Sequence, residues 1–91
     1  MKNKIEMFSN ITKDMLETYK SKNKDYGDSF GVSVQKYGLI AALTRMSDKF
    51  NRLENLIITR SKGEVKDESL EDTLLDLASY CIMTAIEIKK E

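Results

Sequence analysis

Residues 32–57 read VSVQKYGLIAALTRMSDKFNRLENLI. Apolar side chains recur in this segment at intervals of three and four residues, which places them on one face of an α-helix. Gly38 interrupts the pattern and is a candidate kink. We therefore predict a second helix over about residues 31–60, either in one piece or in two pieces that meet near Gly38.

Two further segments carry helical patterns. Residues 4–22 form one amphipathic helix, and residues 70–88 are apolar around most of the helix circumference, which predicts burial from several sides. The apolar stripe of the first segment consists of Ile5, Phe8, Ile11, Met15, Leu16 and Tyr19. Glycine and short polar side chains predict turns over residues 23–31 and around Gly63. The expected fold is all-α, a bundle of three main helices in a single domain spanning residues 1–91.

The size and charge of the chain restrict its partners. It has 91 residues, with 15 basic and 15 acidic side chains that cancel to a net charge of zero. A chain this short buries only about 60% of its unfolded surface, and copies without net charge do not repel one another, so we expect a homo-oligomer that completes the bundle. The neutral balance excludes the broad positive field that binding to duplex DNA requires.

The expected location is the cytoplasm. The first residues contain no apolar run of signal-peptide length, and no segment approaches the ~20 apolar residues of a membrane span. We therefore expect no membrane partner. The only cysteine, Cys81, lies in an apolar run and is predicted to be a buried structural residue. Since the chain has no histidine, imidazole acid–base chemistry is excluded.

Charged residues on the second and third predicted helices form the candidate site. Arg45, Asp48, Lys49 and Arg52 share one face because they are spaced by three, four and seven residues. Asp76 interrupts an apolar stretch of the third helix, one turn after Asp72. A carboxylate in such a place requires a partner. One interpretation is a purely structural salt-bridge network between the helices, and the other is a ligand site.

The ligand interpretation points to a nucleotide. Lys24, Arg45, Lys49 and Arg52 are groups that form charge-assisted hydrogen bonds to phosphate oxygens. Tyr26 offers an aromatic ring on which a base can stack. No cofactor is required for such binding. A small nucleotide ligand is therefore the expected partner.

Three blocks of the sequence resemble a known family. Residues 22–30 (KNKDYGDSF), 45–53 (RMSDKFNRL) and 68–80 (ESLEDTLLDLASY) are similar to the nucleotide-modification-associated domain 1 family of phages and bacteria. The resemblance covers roughly residues 20–86 and implies a small helical protein, often phage-encoded, connected with nucleotide metabolism or modified DNA. It suggests an anti-defence protein in the host cytoplasm that captures a nucleotide signal of the cyclic or ADP-ribose type.

The last block is also similar to the metal-binding helix of MazG-like all-α nucleoside triphosphate pyrophosphohydrolases. That resemblance implies an alternative, a Mg²⁺-dependent enzyme acting on modified or non-standard nucleotides. The metal ligands would then be Asp48, Glu71, Asp72 and Asp76. However, the second helix has no ExxE pair, and Asp72 and Asp76 stand where those enzymes have ExxD. The departure weakens the expectation of hydrolysis more than that of nucleotide binding.

Overall fold

A computed structural model describes residues 3–61 and 67–91, and the side chains of residues 3–59 and 70–91. The four helices are α1 (Lys4–Tyr26), α2 (Ser29–Tyr37), α3 (Leu39–Ser61) and α4 (Asp67–Lys90). No strand occurs within the described ranges, so the predicted all-α class is confirmed. In the part of the chain that the structure describes, the helices number four rather than three, because the second predicted helix is divided. The predicted turn around Gly63 lies outside the described residues.

Gly38 separates α2 from α3. Its φ of 77° and ψ of −170° belong to a backbone region that is essentially restricted to glycine. Its amide still donates a hydrogen bond of 2.7 Å to the carbonyl of Val34, which closes α2, and α3 begins at the next residue. The helical pattern of residues 32–57 is thus split at the predicted candidate kink.

The turn between α1 and α2 is shorter than predicted. Helix α1 continues through Tyr26, so only Gly27 and Asp28 of the predicted turn over residues 23–31 are non-helical. Gly27 ends α1 with a φ of 67°. Asp28 begins α2 by accepting a 3.2 Å hydrogen bond from the amide of Gly31. Two consecutive capping residues are therefore sufficient to end one helix and begin the next.

The core lies between α2, α3 and α4. Phe30, Val34 and Ala42 are its buried centre, and Met46, Tyr80 and Met83 pack against them. Helix α1 contributes no buried residue. The expectation that α4 is buried from several sides is wrong, because Leu74 and Ile82 on this helix are exposed.

Two smaller observations complete the fold. Cys81 is exposed, with its Sγ 3.8 Å from Sδ of Met46, so its predicted burial is wrong. Among the described residues, no helix combines the length and the apolar character that crossing a bilayer needs.

Candidate functional site

A cavity of about 330 Å³ lies where α1, the start of α2, α3 and α4 meet. We call it the main cavity. Pockets that hold small molecules typically measure about 300–1,000 Å³, so this one is large enough for a compact ligand or part of a larger one. Each of the three long helices contributes charged side chains to its wall.

Helix α1 supplies a polar strip to the main cavity. Asp14, Thr18, Lys22 and Tyr26 all line it, and they follow one another at intervals of four residues along a single side of the helix. Lys24 lies two positions from both Lys22 and Tyr26, which turns it toward the opposite side of α1. It is exposed and does not line the cavity.

Helix α3 supplies two cations one turn apart, Arg45 and Lys49. Nζ of Lys49 lies 3.1 Å from Oδ2 of Asp76 on α4, and both side chains are partly exposed, at 30% and 42%. Arg45 is exposed and makes no hydrogen bond or ion pair within the described part of the chain. The α3 part of the wall therefore holds one cation that is neutralised by Asp76 and, one turn away, one cation whose hydrogen-bond donors are available.

Arg52 has a different role in the structure. Its Nε donates a 3.3 Å hydrogen bond to Oγ1 of Thr73, a residue that is 2% exposed. Arg52 does not line the main cavity. This contact links α3 to α4 one turn beyond the pair formed by Lys49 and Asp76, so part of the predicted basic face serves helix packing.

Some of the acidic residues line the main cavity and others lie outside it, as is also true of the basic residues of α3. Asp14, Asp28 and Asp76 line the main cavity, whereas Asp48, Glu71 and Asp72 are exposed side chains outside it. Asp28 is already engaged as the cap of α2. Among the described side chains, those of residues 3–59 and 70–91, no three acidic, cysteine or histidine groups come close enough together to hold a metal ion.

Four aromatic rings line the main cavity. Three of the four tyrosines of the chain, Tyr19, Tyr26 and Tyr80, line it together with Phe30. The ring of Tyr80 packs against Phe30 with centroids 5.6 Å apart and an angle of 42° between the planes, so it is fixed by the core. Tyr26 is 75% exposed, which leaves its ring faces open to a ligand.

Sequence reasoning missed several lining residues. Asp14, Thr18 and Lys22 were not among the candidates, although their spacing of four residues indicates a polar strip along one side of an amphipathic helix. Ser79 lies one turn from Asp76 on α4 and also lines the main cavity. The choice of Lys24 over Lys22 followed from ending the first helix too early.

Comparison with known families gives one decisive match. The family described as nucleotide modification associated domain 1 matches residues 22–88. The chain belongs to the nucleotide modification associated domain 1 family. The resemblance noted in the sequence is therefore confirmed, whereas the similarity to MazG-like enzymes stays an expectation. Neither the curated proteins nor the solved structures gave a match.

The nucleotide modification associated domain 1 match includes most of the main cavity. Lys22, Tyr26, Arg45, Lys49 and Asp76 all lie within the matched residues. The first eighteen residues of α1, numbers 4–21, lie before the match. The α1 wall is thus divided: its basic and aromatic end belongs to the family segment, and its acidic end does not.

Proposed function

We propose that this chain binds a nucleotide in the main cavity without breaking it down. The observation that carries the proposal is the position of Arg45, a guanidinium without an ion-pair partner in the described residues, at the wall of a cavity that also contains three tyrosines. An arginine in that state is suited to bind phosphate oxygens through two parallel hydrogen bonds.

Charge and shape give the proposed ligand an orientation. Lys22, Arg45 and Lys49 would contact the phosphates, and the exposed ring of Tyr26 would stack on the base. The proposal keeps Tyr26, Arg45 and Lys49 from the sequence prediction and adds Lys22. Lys24 and Arg52 are left out, since neither lines the main cavity.

The surrounding carboxylates favour binding over turnover. A pyrophosphohydrolase needs several carboxylates on one Mg²⁺ ion to activate water. Asp76 is paired with Lys49, and Asp48, Glu71 and Asp72 stand outside the main cavity. We accordingly propose capture of a nucleotide signal, of the cyclic or ADP-ribose type, as the biological form of this activity.

A panel of nucleotides titrated into the purified chain tests binding by calorimetry and thermal shift. A bound nucleotide raises the melting temperature in proportion to the logarithm of its concentration over its Kd. Arg45→Ala should weaken binding about tenfold or more, because one charge-assisted contact is lost. A wild-type chain that no nucleotide stabilises would remove the proposal.

A second measurement separates capture from hydrolysis. The nucleotide that binds is incubated with the chain and Mg²⁺, then recovered after denaturation and analysed by mass spectrometry. Capture returns the nucleotide intact. Release of pyrophosphate that disappears in Asp76→Ala would instead support the MazG-like alternative.

A further inference from the structure

Helix α1 carries an apolar stripe that the rest of the chain leaves open. Ile5, Phe8 and Leu16 are 82%, 71% and 52% exposed, and the helix buries none of its residues. Isolated exposed apolar side chains are common, but a continuous stripe along a helix indicates a surface that is covered in the working state of the protein.

The stripe borders an apolar groove between α1 and α4. The groove has a volume of about 200 Å³ and is lined by Met15, Leu16, Ile82, Met83 and Ile86, among others. We call this surface the α1–α4 face. Met15, Tyr19, Ser79 and Met83 line both the groove and the main cavity, so the two depressions adjoin.

The total surface of the chain shows how much is left uncovered. It exposes 7223 Å², whereas a compact monomer of 10.5 kDa exposes about 5,400 Å². The excess of roughly 1,800 Å² exceeds the about 800 Å² that each partner buries in a typical stable interface. The radius of gyration, 15.0 Å, is likewise larger than the about 12 Å expected for 91 residues.

We infer that a second copy of this chain covers the α1–α4 face. The uncovered area is more than one partner's share of a typical stable interface, and two copies of a chain with equal numbers of acidic and basic residues meet without net repulsion. A twofold arrangement pairs the same face on both copies, so the stripe of each α1 packs against the groove of the other.

The second copy also completes the ligand site. Helix α1 forms one wall of the main cavity through Asp14, Thr18, Lys22 and Tyr26, yet it has no buried residue that fixes its position within a single chain. Contacts from the partner on the opposite edge of α1 hold that wall in place. This coupling, though not the dimer itself, rests on the proposed nucleotide binding.

Another apolar surface provides a matched control. On α3, Leu43, Phe50 and Ile57 are each about half exposed and lie seven residues apart on one side of the helix. This stripe does not border the groove or the main cavity. An acidic substitution there changes the same kind of side chain on a surface that the proposed dimer leaves free.

Sedimentation equilibrium of the full chain at micromolar concentration tests the inference without any ligand. We expect the wild type to be a dimer, Phe8→Asp and Leu16→Asp to raise the dimer dissociation constant about 100-fold, and Ile57→Asp to leave it nearly unchanged. Helical content by circular dichroism should be equal in all four proteins, since the substituted side chains are exposed.

Two results overturn the inference: a monomeric wild type, or a dimer that survives Phe8→Asp and Leu16→Asp while Ile57→Asp dissociates it. The nucleotide readout is separate. If the dimer forms as expected but no nucleotide binds, the proposed function fails and the dimer stands. If a nucleotide binds, Phe8→Asp should weaken its binding at protein concentrations where that variant is monomeric.

Discussion

Lys49 on α3 and Asp76 on α4 form an ion pair of 3.1 Å at the wall of the main cavity, one turn from the unpaired Arg45. The pair joins the two helices, and its partial exposure means that it contributes only modestly to stability. It also places a negative charge next to the proposed phosphate position. Asp76 therefore competes with an anionic ligand for Lys49.

Replacing Asp76 with asparagine should strengthen nucleotide binding. The substitution removes one negative charge from the cavity wall and frees the ammonium group of Lys49, so we expect affinity to rise about threefold to tenfold at low salt. Calorimetry at two ionic strengths measures the effect. Asp72→Asn is the matched control, one turn away on α4 and outside the main cavity, and should change little. A loss of binding in Asp76→Asn would indicate that the carboxylate holds a metal ion instead.

Lys22 and Lys24 form a second matched pair, on opposite sides of α1. Lys22→Ala should weaken nucleotide binding about tenfold because a charge-assisted contact is lost, while Lys24→Ala should have almost no effect. Equilibrium titration of both variants with the same nucleotide makes the comparison. Equal losses in the two variants would mean that only the general charge of α1 matters.

Gly38→Ala should destabilise the fold by about 1–3 kcal/mol. An added Cβ would meet no atom within 4 Å, so the cost comes from the backbone, which holds a φ of 77° that alanine rarely adopts. Urea unfolding followed by circular dichroism measures it. Ser47→Ala, at an exposed position inside α3, is the control and should shift stability by less than about 0.5 kcal/mol. An unchanged midpoint in Gly38→Ala would show that α2 and α3 can join in another way.

Thr73→Val should lower stability by about 1–2 kcal/mol without affecting nucleotide binding. The substitution preserves the buried volume but removes the hydroxyl that accepts from Arg52. Thr73 does not line the main cavity, so the affinity for the nucleotide should stay unchanged. Thermal unfolding and nucleotide titration of the same preparation check both parts, and a selective loss of binding would contradict the assignment of Arg52 to helix packing.

The helices were predictable because local spacing determines them. The intervals of three and four residues in segments 4–22 and 32–57 correspond to α1 and to α2 with α3, and Gly38 marked the division. The end of α1 was misjudged since Asn23 and Asp25 favour turns on average, yet nothing before Gly27 forces the helix to stop. Cys81 was misjudged for a related reason: a run of apolar residues does not reveal which positions of α4 remain accessible to solvent in the folded chain.

The candidate site was only partly predictable. Spacing along α3 predicts that Arg45, Lys49 and Arg52 share one face of the helix, but it carries no information about the register between α3 and α4. In the observed register Lys49 pairs with Asp76 and Arg52 donates to Thr73, whereas Arg45 lines the main cavity without a partner in the described residues. Which basic residues remain available for a ligand is therefore a tertiary property that helical periodicity cannot supply.

The short turn at Gly27 and Asp28 is a point about which α1 can rotate as a rigid helix. A helix of 23 residues is about 35 Å long, and the C-terminal end of α1 is joined to α2. Rotation by about 10° around that end moves the opposite end roughly 6 Å but shifts Tyr26 very little. Movement of α1 would thus open the apolar groove before the phosphate-facing end, and a partner that covers this groove would limit how far the main cavity can widen.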